Sequence, residues 1–270
     1  MRALAVLLAA FAATLAFAAT PAPLRLLAAE LPPYTFQVPP ATVAEVPGPG
    51  QGIVHDVVEE LARRVGERAA IEYVPWVEAQ RLALSGANVG ILALTRTPER
   101  DAQYRWIAKI VTDDLVLVGR AGADVGTLDA ARGRTTGVLR GSGAEVLLLS
   151  SGFTRIIPAA EEWVNAQRLR DGKIEAWLAP RLMVLHAYRE VGGDPAKLAV
   201  SASVRPSEIW FAAGKGMPDA EAQKWQQAFA AMQADGTYAR IMARYEKFDV
   251  RAVPDDLRRT MSGPLPGFPY

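Results

Sequence analysis

Apolar positions along the chain alternate between strand-like and helix-like runs. Residues 24–29 (Leu-Arg-Leu-Leu-Ala-Ala) predict a strand. It runs into a loop at Glu30-Leu31-Pro32-Pro33-Tyr34, because two prolines cannot join a sheet interior. Residues 37–51 are rich in Pro and Gly without periodicity and predict a surface loop. Ile53, Val57, Val58, Leu61 and Val65 then recur at helical spacing, with Glu59, Glu60, Arg63 and Arg64 between them and Gly66 placed to stop the helix. Ile71-Glu72-Tyr73-Val74 alternates as a strand up to Pro75-Trp76, and a second helix runs through Leu84 to a stop near Gly86. Residues 89–94 form an unbroken apolar run, the pattern of a buried strand. The order β-α-β-α-β predicts an α/β fold with a mostly parallel sheet under covering helices.

The second half repeats the scheme. Strands are predicted at 115–118, 135–139, 174–178 and 209–213, with a new unit opening at residues 128–134. Helices are predicted at 146–150, 163–170 (capped by Asp171-Gly172), 182–191, 220–234 and 237–245, the last two parted by Asp235-Gly236. The tail after Val250 carries Pro254, Pro264, Pro266 and Pro269 and predicts loose order.

Two strand ends carry candidate chemistry. Thr95-Arg96-Thr97-Pro98-Glu99-Arg100 follows the 89–94 strand, and Pro98 forbids its continuation in a sheet. The turn offers hydroxyls and two guanidinium forks, which match a carboxylate with paired hydrogen bonds. The alternative is a plain helix start, with Thr97 as N-cap and Pro98 at the first helical position. Arg140-Gly141-Ser142-Gly143-Ala144-Glu145 leads from a strand into a helix. Such a Gly-Ser-Gly turn leaves several backbone N–H groups pointing one way, a nest for anions.

Composition narrows the function classes. Met1-Arg2, an apolar stretch from Ala3 to Ala19 and the small-x-small site Ala16-Phe17-Ala18 predict a cleavable signal peptide over residues 1–18. Alanine richness and the immediate Pro21 and Pro23 disfavour a membrane anchor. With no cysteine, neither a cysteine-linked lipid nor a disulfide is available, so the exported chain is expected to be soluble and held by its core. Lys+Arg 30 against Asp+Glu 29 leaves no basic footprint for nucleic acid. Two distant histidines, His55 and His186, and no cysteine argue against a transition-metal site, and no cofactor motif occurs.

Taken in order, Pro33-Tyr34, Gly52-Ile53-Val54-His55-Asp56-Val57, Pro75-Trp76, the Thr95 to Arg100 segment, Arg140-Gly141-Ser142-Gly143 and Asp235-Gly236-Thr237-Tyr238 resemble the landmarks of bacterial extracellular solute-binding proteins of family 3, the periplasmic binders of amino-acid ABC transporters. The resemblance covers about residues 24–248. It implies a type II periplasmic-binding-protein fold: two α/β lobes, each a mostly parallel sheet with flanking helices, joined by two hinge strands that close over a ligand. Lobe 1 is expected at 24–113 and 208–250, lobe 2 at 114–207, and a C-terminal tail at 251–270. By the same resemblance the carboxylate-binding arginine falls on Arg100, the hydroxyl and N–H that grip the ligand on Thr95, the second lobe's anion-binding amide on Gly143 beside Ser142, and the aromatic walls on Tyr34 and Trp76. For Tyr34 and Trp76 ordinary core packing is the competing reading.

The chain departs from the family in one respect. Where an acidic residue meets the ligand's ammonium, just after the 174–178 strand, it has Ala179-Pro180-Arg181. Glu30 or Glu78 are the substitutes on offer. Basic residues crowd the strand ends instead, with Arg96, Arg140 and Arg181 as accessories to Arg100. This composition fits a carboxylate whose amino group is optional, or a dicarboxylate. The leading expectation is therefore a monomeric, non-enzymatic periplasmic protein that captures an amino acid or related organic acid for an ABC permease. One alternative is an enzyme like the cyclohexadienyl dehydratases, whose general acid would come from Glu30, Glu78 or Glu175. Another is a ligand-sensing partner of a receptor, docking through the same lobe surfaces.

Overall fold

The computed structural model describes residues 23–37, 52–68 and 70–249, with side chains to 245. The predicted signal peptide, the 37–51 loop beyond Gln37 and the tail after 250 lie outside the described residues. Among those described, no helix is long and apolar enough to cross a membrane.

The first half follows the expected alternation. Strand β1 (Arg25–Ala28) pairs in parallel with β2 (Ile71–Tyr73) on one side and β3 (Val89–Thr95) on the other. Helix α1 (Ile53–Val65) buries Ile53, Val57, Val58 and Leu61 and ends at Gly66, whose left-handed φ of 76° suits a residue without Cβ. Helix α2 (Trp76–Ser85) covers the same sheet. Helix α3 (Pro98–Asp101) is a single turn opened by Thr97 and Pro98, so the plain helix start is also what the chain forms.

The centre differs from the periodicity reading. The strand expected at 115–118 is the end of a seventeen-residue strand, β4 (Tyr104–Arg120). Arg105, Lys109, Asp113 and Asp114 interrupt its apolar pattern and hide its first half from a hydropathy search. It runs antiparallel to β9 (Arg205–Gly214), itself longer than the expected 209–213. These two strands carry the sheet from one half to the other.

Beyond them lie α4 (Leu128–Ala131), β5 (Thr136–Leu139), α5 (Gly143–Ser150), β6 (Ile156–Ala159), α6 (Glu162–Arg170), β7 (Ala176–Pro180), α7 (Arg181–Glu190) and β8 (Leu198–Val200). β6 and β8 escape the periodicity reading because each is only three or four half-buried residues long. The strand order is β2-β1-β3-β9-β4-β7-β5-β6, with β8 pairing β4. Helices α8 (Asp219–Ala234) and α9 (Thr237–Asp249) return to the first half.

The buried side chains divide in the same way. One cluster, including Leu26, Leu61, Ile91, Phe211 and Trp225, fills the first half. Two smaller ones, around Leu117 and Leu178 and around Val116 and Trp177, sit on opposite faces of the β4-β7-β5-β6 sheet. Alternating side chains of β4 and β7 point to opposite faces, so one pair of strands feeds both clusters.

Candidate functional site

Where the two halves meet, the ends of β3, β5 and β7 and the loop after β1 enclose a cavity of about 40 Å³. All six residues the sequence nominates as primary site residues line it: Tyr34, Trp76, Thr95, Arg100, Ser142 and Gly143.

Each is placed by its local structure. Tyr34 lies in the loop after β1, clamped by the start of α1: the N–H groups of Ile53 and Val54 donate to the carbonyls of Pro33 and Tyr34, both at 2.9 Å. Gly52 permits this approach, with φ of 115° and a hypothetical Cβ only 2.4 Å from the Tyr34 oxygen. The Tyr34 hydroxyl donates to buried Asp113 of β4, so its polar end is anchored while its ring lines the cavity. Asp113 also accepts from the N–H groups of Asp114 (2.7 Å) and Leu182 (2.9 Å), tying the β1 loop to the first turn of α7. Burial raises the Asp113 pKa to about 6.

β3 reaches the cavity through an irregularity. Its register against β9 shifts between Ile91 and Leu94, and Ala93 adopts a positive φ of 57°. A bulge re-aims the residues that follow it, here Thr95. Five residues on, the guanidinium of Arg100 is nine-tenths buried. Its Nη1 donates to the Thr95 carbonyl (3.0 Å), and its Nη2 to Gln80 Oε1 (2.7 Å) and the Gly141 carbonyl (2.9 Å). It lies 5.9 Å from the Trp76 ring centroid. Every one of these partners is formally neutral. Burial pulls the Arg100 pKa below its ordinary value, and Tyr104 and Glu99 only partly oppose this. Burying a cation among neutral partners alone is costly.

The opposing wall is the start of α5. Ser142 caps the helix, its Oγ accepting from the Glu145 N–H at 3.1 Å, while Glu145 Oε2 takes the Gly141 N–H at 2.6 Å. The N–H groups of Gly143 and Ala144, both on the cavity wall, have no acceptor within the helix. Gly143 is required by closeness: an added Cβ would sit 2.8 Å from Thr97 Cγ2 across the cleft.

Sequence reasoning missed two cavity residues. Arg205, at the start of β9, donates from Nη2 to the Gly143 carbonyl at 3.2 Å, and burial lowers its pKa. Glu162, the first residue of α6, is buried, and its Oε2 accepts from Asn165 Nδ2 (2.9 Å) and Trp177 Nε1 (2.8 Å). Burial raises its pKa to about 7. The cavity thus has a carboxyl group, from α6 and not from the end of β7. In sequence Glu162 follows Glu161 at a helix start, where acids are common for dipole reasons alone. The indole of Trp177 behind it is the structural signal.

The four accessory candidates lie apart from the cavity. Glu30 is exposed and accepts from the Gln37 N–H. Arg96 pairs with Asp101 at 2.8 Å and lies over the rings of Trp106 and Trp210. Arg140 is exposed. Arg181 is buried with its nearest carboxylate, Asp114, at 3.9 Å. Of the other acids considered, Glu78 is bound to Arg81, and half-buried Glu175 accepts from the Thr135 N–H beside Arg134 and Arg155. A larger concavity of about 800 Å³ lies between α1 and α9. Asp56 there pairs with Arg244 and Tyr245, and Glu60 with Arg63 and Arg64, while its other arginines, Arg68 and Arg240, are exposed, so it lacks the buried unmatched cation of the cleft.

Two α/β halves joined by a pair of long strands, with an arginine-lined cavity where they meet, have the architecture of a two-lobed periplasmic-type binding protein. Residues 32–248 match the bacterial extracellular solute-binding proteins, family 3, and the chain belongs to that family. It is 27% identical to the histidine-binding periplasmic protein of Escherichia coli K12 over 263 residues, covering 92% of this chain and 96% of that protein. Its counterpart from Salmonella typhimurium is 26% identical, with the same coverage. Among solved structures, an ancestral arginine-binding protein bound to arginine superposes with a TM-score of 0.70 at 19% identity, covering 85% of this chain and all of that one. A histidine kinase sensor domain similar to periplasmic binding proteins also reaches 0.70, at 16% identity, with 82% and 95% covered. At these identities the structures share the fold.

Proposed function

We propose that the protein is a periplasmic solute-binding protein that captures a small carboxylate-bearing solute, an amino acid or close relative, in the cleft and delivers it to an ABC permease. The observation that carries this is Arg100: a buried guanidinium in a cavity, with only neutral partners, facing the free N–H groups of an opposing helix start. A ligand carboxylate would supply the charge that the Thr95, Gln80 and Gly141 oxygens do not. Residues 24–113 with 208–250, and 114–207, are read as the two lobes, with β4 and β9 as the hinge. The periplasmic relatives support export through the predicted signal peptide. The role is read as binding without catalysis: the three acids nominated for catalysis, Glu30, Glu78 and Glu175, stand away from the cavity, and the acid that lines it, Glu162, is held by Asn165 and Trp177.

A thermal-shift screen of the purified mature chain against the L-amino acids and small organic acids tests the proposal. A saturable shift with one solute class is the expected result. No shift across the set would overturn it.

A further inference from the structure

We propose that Glu162 is the cleft's cation-specificity residue, and that it gives up a proton when a ligand's ammonium binds. The cleft would then take up amino ligands with proton release and plain carboxylates without it. The inference rests on the solute-binding reading of the same cavity.

The geometry singles out this carboxyl. Among the described acids, Glu162 is the one that lines the cavity with Arg100 and Arg205. Both protein donors, Asn165 Nδ2 and Trp177 Nε1, go to the same oxygen, Oε2. Oε1 is left without a protein partner on the wall of a cavity that also holds two guanidiniums. Arg100, Arg205 and Glu162 line the same cavity of about 40 Å³, which has to widen to admit a zwitterion. A carboxylate at Arg100 and an ammonium at Glu162 would each meet its opposite charge.

The neighbours do not supply that charge themselves. β5 and β6 bring no ionisable side chain to α6, and β7 brings the Trp177 indole. From β4, Asp113 is bound to Tyr34, Asp114 and Leu182, and Asp114 faces Arg181. On α7, His186 faces Glu190. Across the cavity Arg100 and Arg205 donate to carbonyl and amide oxygens. Glu162 makes no ion pair, and burial holds its pKa near 7, so at neutral pH it is part protonated until a cation arrives.

The test is titration calorimetry in two buffers of different ionisation enthalpy, from pH 5.5 to 8.5, on the wild type and Glu162→Gln. The probes are L-histidine, L-arginine and L-glutamine, each beside its analogue lacking the α-amino group. The Gln amide oxygen accepts from the same two donors, so the fold is retained, which far-ultraviolet circular dichroism checks. The expected result is release of close to one proton per amino ligand at pH 6 and none at pH 8.5. Affinity should fall about tenfold per pH unit below 7. Glu162→Gln should lose at least about tenfold for the amino ligand, lose the pH dependence and bind the des-amino analogue unchanged or better. Amino-ligand affinity that survives Glu162→Gln would overturn the inference while leaving solute binding intact. So would affinity that rises as pH falls, the mark of a protonated Glu162 donating to an anion. A wild type that binds none of the probes while binding another solute also overturns it. Binding to no solute overturns the solute-binding reading, and this inference with it.

Discussion

At the residue scale the cleft combines groups that the rest of the fold does not need. Arg100 and Glu162 are both buried and neither has a charged partner, an arrangement that costs stability unless a ligand completes it. This sets the sign of a pH effect. The pKa of Glu162 is raised from about 4.3 in the unfolded chain to about 7 in the folded one. Its favourable, protonated form therefore contributes fully below about pH 4.3, and the contribution is lost as pH rises through 7. Glu162→Gln should remove that slope. In the absence of ligand the variant should match the wild type near pH 4.5 and exceed it by roughly 3 kcal/mol at pH 8, read by denaturant unfolding. Equal slopes would mean that folding leaves the pKa of this carboxyl unshifted. Gly143 offers a steric test. Gly143→Ala places a methyl group against Thr97 across the cleft. Overpacking of about 1–3 kcal/mol should lower the unfolding temperature without ligand by roughly 2–12 °C and weaken solute binding by about tenfold or more.

At the element scale, the site is made by the ends of regular pieces, and those pieces differ in how far sequence reveals them. α1, α2 and β3 were legible because their apolar periods are long and their stops are glycine or proline. The first half of β4 was not, since Arg105, Lys109 and Asp113 occupy positions that pair with β9 or bridge to other elements. Thr95, Arg100, Ser142 and Gly143, which line the cavity, can be nominated from sequence because turns after strands carry recognisable residues. Glu162 and Arg205 were not, because an acid at a helix start and an arginine at a strand start are ordinary until tertiary contacts place them in a cavity. The missing acid after β7 leaves a ligand's amino group optional, and the carboxyl on α6 lines the cavity where such a group would need a partner. Gly52 tests how the elements hold Tyr34. Gly52→Ala forces a Cβ against the Tyr34 carbonyl at a φ of 115°. It should cost about 3 kcal/mol, lowering the unfolding temperature by roughly 6–12 °C. A change under 2 °C would show that the α1 start does not fix the loop.

At the scale of the whole molecule, the two halves are linked by β4 and β9 and by bonds across the cleft: Arg100 and Gln80 to the Gly141 carbonyl, Arg205 to Gly143, and Tyr34 through Asp113 to Leu182. A solute entering the cleft has to part these bonds and then replace them with stronger, charge-assisted ones. Binding should therefore stabilise the whole fold, by about 2.7 kcal/mol at a hundredfold excess over Kd. The central claim is that Arg100 is the charge that holds the solute. The direct measurement is the thermal-shift and calorimetric screen repeated on Arg100→Ala, with circular dichroism confirming its fold. The account predicts that the solute shifting the wild type binds this variant at least about a hundredfold more weakly. Undiminished affinity in Arg100→Ala would contradict it.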